Sequence, residues 1–231
     1  MSTERLGSHE AAEIRELPFQ EIVTKLLALS GDDVFQSPQQ FVIKGPVTAG
    51  GLRQLTQLPY EIGITELNGE LILNTGQEQL AAHHRDHESA KRFYTSKVSC
   101  HTHTVQTYGL YSDGIELNRP SEGDIENSWL KARLTPGRPS ILVHPEGITV
   151  FVAPSHLMMQ LDDESQRRYE EISMQVNEKK RTRKYEGISR LERELQKIDG
   201  IIVEHADWSD AEKIDGIIEK HINGPIRKIN N

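Results

Sequence analysis

Apolar residues along this chain come in short blocks whose spacing changes from helical to alternating. Within residues 8–30, Ile14, Leu17, Ile22, Val23, Leu26, Leu27 and Leu29 recur at helical spacing. That predicts a helix interrupted at Pro18, where the ring removes a backbone donor, and ended by Gly31-Asp32-Asp33. Phe41-Val42-Ile43 predicts a short strand, and residues 52–58 a short helix stopped by Pro59. Asn68-Gly69 separates two strand-like runs, 62–67 and 70–73. This pair predicts a two-residue hairpin turn, because both turn positions need positive φ.

Residues 77–92 are polar and predict a loop, whereas 93–103 are rich in β-formers and predict a strand. After a further loop over 104–120, Ser121 is a good helix N-cap with Asp124 in the first turn, and the helix should run to about residue 134. Residues 141–143 and 148–152 predict two strands turned at His144-Pro145-Glu146-Gly147. Residues 162–199 carry ten acidic and ten basic side chains with a sparse apolar stripe, which predicts one or two long exposed helices weakened at Gly187. A short apolar run at 201–203 precedes a last helix over 209–221, with Ile214, Ile217, Ile218 and Ile222 on one face. Mixed helices and strands of this kind predict an α/β protein of the α+β type.

Composition narrows the function. The chain has 231 residues and a net charge of −8, which disfavours general binding to phosphate backbones. No run is long and apolar enough for a membrane helix, and the start, Met-Ser-Thr-Glu-Arg, is unlike a secretory signal. The single cysteine, Cys100, cannot build an internal disulfide framework. A cytoplasmic protein is therefore expected. The ten histidines cluster at His83, His84 and His87, and again at His101 and His103. Such clusters are where metal ligands are found.

His101-Thr102-His103 lies on a predicted strand, where residues i and i+2 share a face, so both imidazoles can reach one ion. Cys100 points to the other side. A catalytic zinc usually has three protein ligands and an open position, and Asp124 is the best third candidate. Ser121 lies one helical turn before it and shares its face.

Glu61, His101-Thr102-His103 and Ser121-Glu122-Gly123-Asp124 stand in the order of the JAMM signature, and the chain resembles the JAMM metalloproteases of the MPN (JAB) superfamily, prokaryotic type, over residues 38–155. Thr104 stands where that family usually has proline, and the stretch from 104 to 120 is longer than in the family. The resemblance implies an MPN-like mixed central sheet flanked by helices. It divides the chain into an N-terminal helical arm (1–36), a metal-binding domain (37–155) and a C-terminal helical region (156–231). It also implies Zn²⁺ bound by His101, His103 and Asp124, Glu61 as general base, Ser121 as donor to the oxyanion, and hydrolysis of peptide or isopeptide bonds. A ubiquitin-like conjugate is one such substrate. Glu66 and Glu70 compete with Glu61 as the base.

Three other readings stay open. His101-Thr102-His103 followed by Ser112-Asp113-Gly114 resembles the first motif of the PHP phosphoesterases, with Asp113 in place of Asp124 as the ligand. His83-His84-Arg85-Asp86-His87 faintly resembles the metallo-β-lactamase motif, with Ala82 at its first position. A non-catalytic MPN-like scaffold would use the charged and C-terminal helices for self-association or partner binding.

Overall fold

A computed structural model describes residues 15–37, 39–75, 96–105, 120, 124, 128, 138–152 and 201–227. Eight strands form one mixed sheet: β1 (Arg15–Pro18), β2 (Gln40–Lys44), β3 (Ile62–Leu67), β4 (Glu70–Thr75), β5 (Ser99–Thr102), β6 (Ser140–His144), β7 (Gly147–Phe151) and β8 (Ile202–Asp207). Their spatial order is β1-β2-β4-β3-β5-β6-β7-β8. β1 runs parallel to β2 and β5 parallel to β6, and the other neighbours are antiparallel.

The β3–β4 register follows from its turn. Asn68 and Gly69 take φ of 53° and 85°, as a hairpin turn twisted to match its strands demands. The Glu66 carboxylate accepts a hydrogen bond from the Gly69 amide at 2.8 Å and closes the turn. A slip of one residue would turn every side chain of the hairpin to the other face. The turn therefore decides which face each residue of β3 presents.

One face of the sheet is apolar. Ile62 and Ile64 of β3, Cys100 of β5, Ile141 and Val143 of β6, and Ile148 and Val150 of β7 join a single buried core. Three helices cover it: α1 (Phe19–Leu27), α3 (Ala49–Leu55) and α4 (Ala211–Ile218). They contribute Ile22, Val23 and Leu26, then Leu52 and Leu55, then Ile214, Ile217 and Ile218. The short α2 (Gly31–Gln36) follows α1. A π-helical turn (Glu219–Asn223) and α5 (Gly224–Arg227) continue α4. In the π-helical turn, the buried Asn223 donates to the Val47 carbonyl and accepts from the Val47 amide, both at 3.0 Å. It ties this end of the chain to the connection between β2 and α3.

Five expectations are corrected. Arg15–Pro18 is a strand, not part of a helix over 8–30. Pro18, with φ −56°, sits at the helix N-cap and starts α1 rather than interrupting it. A proline is tolerated at the end of an edge strand because its missing donor faces no neighbour. α1 is part of the core, not an arm attached to it. Gly31-Asp32-Asp33 opens α2 instead of ending a helix, because Ser30 and Asp33 form a reciprocal capping box. Lastly, the region after 156 is not wholly helical: β8 pairs with β7 at the sheet's edge. There Gly147 is required, since a Cβ would lie 2.0 Å from the Ala206 carbonyl oxygen. The predicted loop over 77–92 and the charged stretch 162–199 lie outside the described residues, as does most of 104–120. No helix among the described residues is long and apolar enough to cross a membrane.

Candidate metal centre

The opposite face of the sheet is polar at its middle. Alternation along β5 turns Cys100 into the core and His101 away from it. The pairings Gly63–His101, His101–Leu142 and Leu142–Thr149 put these residues side by side on that second face. His103 follows directly after β5. Its amide donates to the Val143 carbonyl at 2.8 Å, which carries the strand's course one residue past its end.

His101 and His103 therefore point the same way, with ring centroids 5.2 Å apart. Asp124, in a helical segment, sits between them. Its Oδ1 lies 2.9 Å from His101 Nε2 and its Oδ2 3.2 Å from His103 Nε2. The three ligand atoms all fall within 4.8 Å of one another. Burial alone would raise the Asp124 carboxyl, but the two histidines outweigh it and hold the group well below the usual carboxylate range. A buried carboxylate stays ionised here because imidazoles face both of its oxygens.

Ser128, four residues after Asp124, is also helical. The Ser140 hydroxyl of β6 donates to the Ser128 hydroxyl at 3.3 Å, with both residues buried. Sequence reasoning missed Ser128. The i, i+4 spacing from Asp124 was the available signal.

His101 Nε2 tests whether the group suits a cation. The nitrogen is buried and, apart from the Asp124 carboxylate 2.9 Å away, meets no hydrogen-bond partner. An unsatisfied buried polar atom costs about 1–3 kcal/mol. Two imidazole nitrogens and one carboxylate oxygen are the donor chemistry of zinc and its neighbours. Among the described residues, His101, His103 and Asp124 form a group that could hold a metal ion.

Glu61 is buried immediately before β3. Continuing the Gly63–His101 register by two residues brings Glu61 level with His103, on the same face. Two bonds hold this end of the strand: the Ile62 amide donates to Thr102 Oγ1 at 2.8 Å, and the buried Tyr60 hydroxyl donates to the Leu26 carbonyl at 2.9 Å. Glu66 and Glu70 are engaged elsewhere. Glu66 binds the Gly69 and Lys97 amides, and Glu70 pairs with Lys44 at 2.8 Å on the surface. Ser121, Asp113 and the His83–His87 cluster lie outside the described residues.

A second group of histidines borders the first. His144, at the end of β6, is fully buried. Its Nε2 is 3.1 Å from Thr149 Oγ1, which is 2.9 Å from His205 Nδ1. His205 Nε2 in turn lies 3.4 Å from Asp207 Oδ1. The two imidazoles stack nearly parallel at 5.6 Å. Burial, with His205 and His103 nearby, pushes the His144 pKa down to about 3. Its Nδ1 has no partner. Sequence reasoning found no pairing for His144, because the link appears only when β6, β7 and β8 are in register.

Comparison with known proteins adds no relative: no family model, no curated protein and no solved structure matches the chain.

Proposed function

We propose that the protein is a zinc-dependent hydrolase of amide bonds, peptide or isopeptide, acting in the cytoplasm as a JAMM-type enzyme. Conjugates of ubiquitin-like proteins are the substrate class to test first. One observation carries this reading: His101, His103 and Asp124 converge within 4.8 Å. Glu61, buried on the same face of the sheet, supports it.

Zinc held by these three side chains would supply a Lewis acid that acidifies water to near-neutral pKa and polarises the scissile carbonyl. The chain's own residues do the rest. Asp124, kept ionised between the histidines, balances part of the cation's charge. Glu61 takes the proton of the attacking water and returns it to the leaving amine. Ser121 donates a hydrogen bond to the oxygen that gains charge, a contribution of about 3 kcal/mol in comparable sites. Burial of the histidines limits competing water.

Elemental analysis of wild type, His101→Ala and Asp124→Ala tests the centre. One zinc per chain, lost in both variants, supports the reading. A metal-free wild type purified without chelators removes it. Retention in Asp124→Ala alone would favour Asp113 and phosphoester chemistry.

A further inference from the structure

The polar chain that runs inward from the exposed Asp207 to the buried His144 has a direction. The Asp207 carboxylate is acceptor-only when ionised, and at 3.4 Å from His205 Nε2 it favours the tautomer that carries its proton there. In neutral His205, Nδ1 is then an acceptor, and Thr149 Oγ1 donates to it across 2.9 Å. With Thr149 Oγ1 donating to His205, its contact with His144 Nε2 at 3.1 Å is one in which the imidazole donates. Every donor thus points towards Asp207, and His144 is left with a bare lone pair on Nδ1. That nitrogen is the one without a partner, in a side chain with no exposure.

His144 borders the metal centre: one residue past the Thr102–Val143 pairing, it lies level with His103 on the same face of the sheet. The two ring nitrogens point nearly opposite ways, and Nε2 is aimed at β7. Nδ1 is therefore turned away from Thr149 and β7. His144 is not in the group whose ligand atoms lie within 4.8 Å of one another.

We propose that His144 is a positioning residue of the metal centre, whose Nδ1 accepts a hydrogen bond from the water that completes the cation's coordination shell. This rests on the metal-centre reading above. Thr149, His205 and Asp207 fix the tautomer that makes Nδ1 an acceptor. Partners of this kind typically change metal affinity by about 10- to 100-fold.

The test uses the full chain and zinc or cobalt(II) alone. Zinc affinity is measured by chelator competition, cobalt coordination by visible absorption, and the melting temperature of each metal-free variant controls for folding. His144→Phe should keep one zinc per chain, bind it at least about tenfold more weakly, and alter the cobalt bands. His144→Asn, which keeps an acceptor oxygen near the Nδ1 position, should recover most of the affinity. Thr149→Val leaves His144 in place but breaks the chain, and should weaken binding severalfold even if His144→Phe fails to fold. Affinities within twofold of wild type in both His144→Phe and Thr149→Val overturn the proposal while leaving the three-ligand centre intact. Failure of wild type to bind either metal overturns both.

Discussion

The two faces of the sheet are built from the same strands and obey different rules. Cys100, Ile141, Val143, Ile148 and Val150 lie on one face, covered by α1, α3 and α4. Their neighbours in sequence, His101, Leu142, His144 and Thr149, lie on the other. The first face needs only size and shape, because dispersion and burial have no direction. The second needs each polar atom to meet a partner, because a buried donor or acceptor left alone is costly. On the apolar face a substitution should change stability alone. On the polar face it should change chemistry.

The largest expected effect lies on the polar face. Glu61→Gln should keep the zinc content of wild type and lower turnover of an isopeptide substrate by about 10²- to 10⁴-fold, since it removes the base and no ligand. Equal turnover in Glu61→Gln and wild type would sink the assignment of Glu61. Next comes the apolar face. Ile22→Ala, in the fully buried part of α1, should cost about 2–5 kcal/mol in denaturant unfolding. Zinc per folded chain should not change. If metal content falls with stability there, the two faces are not independent.

A smaller effect separates them by pH. His144 titrates near 3 in the fold, below the ordinary value of about 6.5. Its unfolded form therefore takes up a proton first. Stability is complete above about pH 6.5 and falls as pH drops towards 3, by at most about 1.4 kcal/mol per unit. Metal-free wild type should show this slope in urea unfolding, and His144→Phe should be flatter over the same window. The smallest effect concerns Cys100. Burial pushes its thiol up to about 12, and its side chain faces the core. The native protein should resist iodoacetamide at pH 8 with or without a chelator, whereas urea-unfolded protein reacts fully. Labelling triggered by the chelator alone would place Cys100 on the wrong face.

The sequence disclosed features that depend on neighbours. The Asn68-Gly69 turn is one, since two residues carry its whole geometry. The shared face of His101 and His103 is another, since strand alternation suffices. Asp124 was legible only through the order of a motif, because nothing local says that it meets two histidines. β1 was hidden because its four residues end in a proline and run into a helical pattern. β8 was hidden because Glu204, His205 and Asp207 make it polar. The His144–Thr149–His205 chain needs three strands in register, which no single stretch encodes.

The Asn223–Val47 clamp spans 176 positions and sets an order of events during synthesis. Glu61, His101 and His103, on and beside β3 and β5, leave the ribosome well before β8, α4 and Asn223. Until β8 and α4 emerge, β7 has an open edge, and Ile148 and Val150 lack the cover of Ile214 and Ile217. A nascent chain therefore holds its candidate metal ligands for some time before it can seal its core, and closing so long a loop is slow. Early metal capture would hold β5 and the Asp124 segment together through that interval, so supply of the ion during translation should govern how much chain reaches the native state.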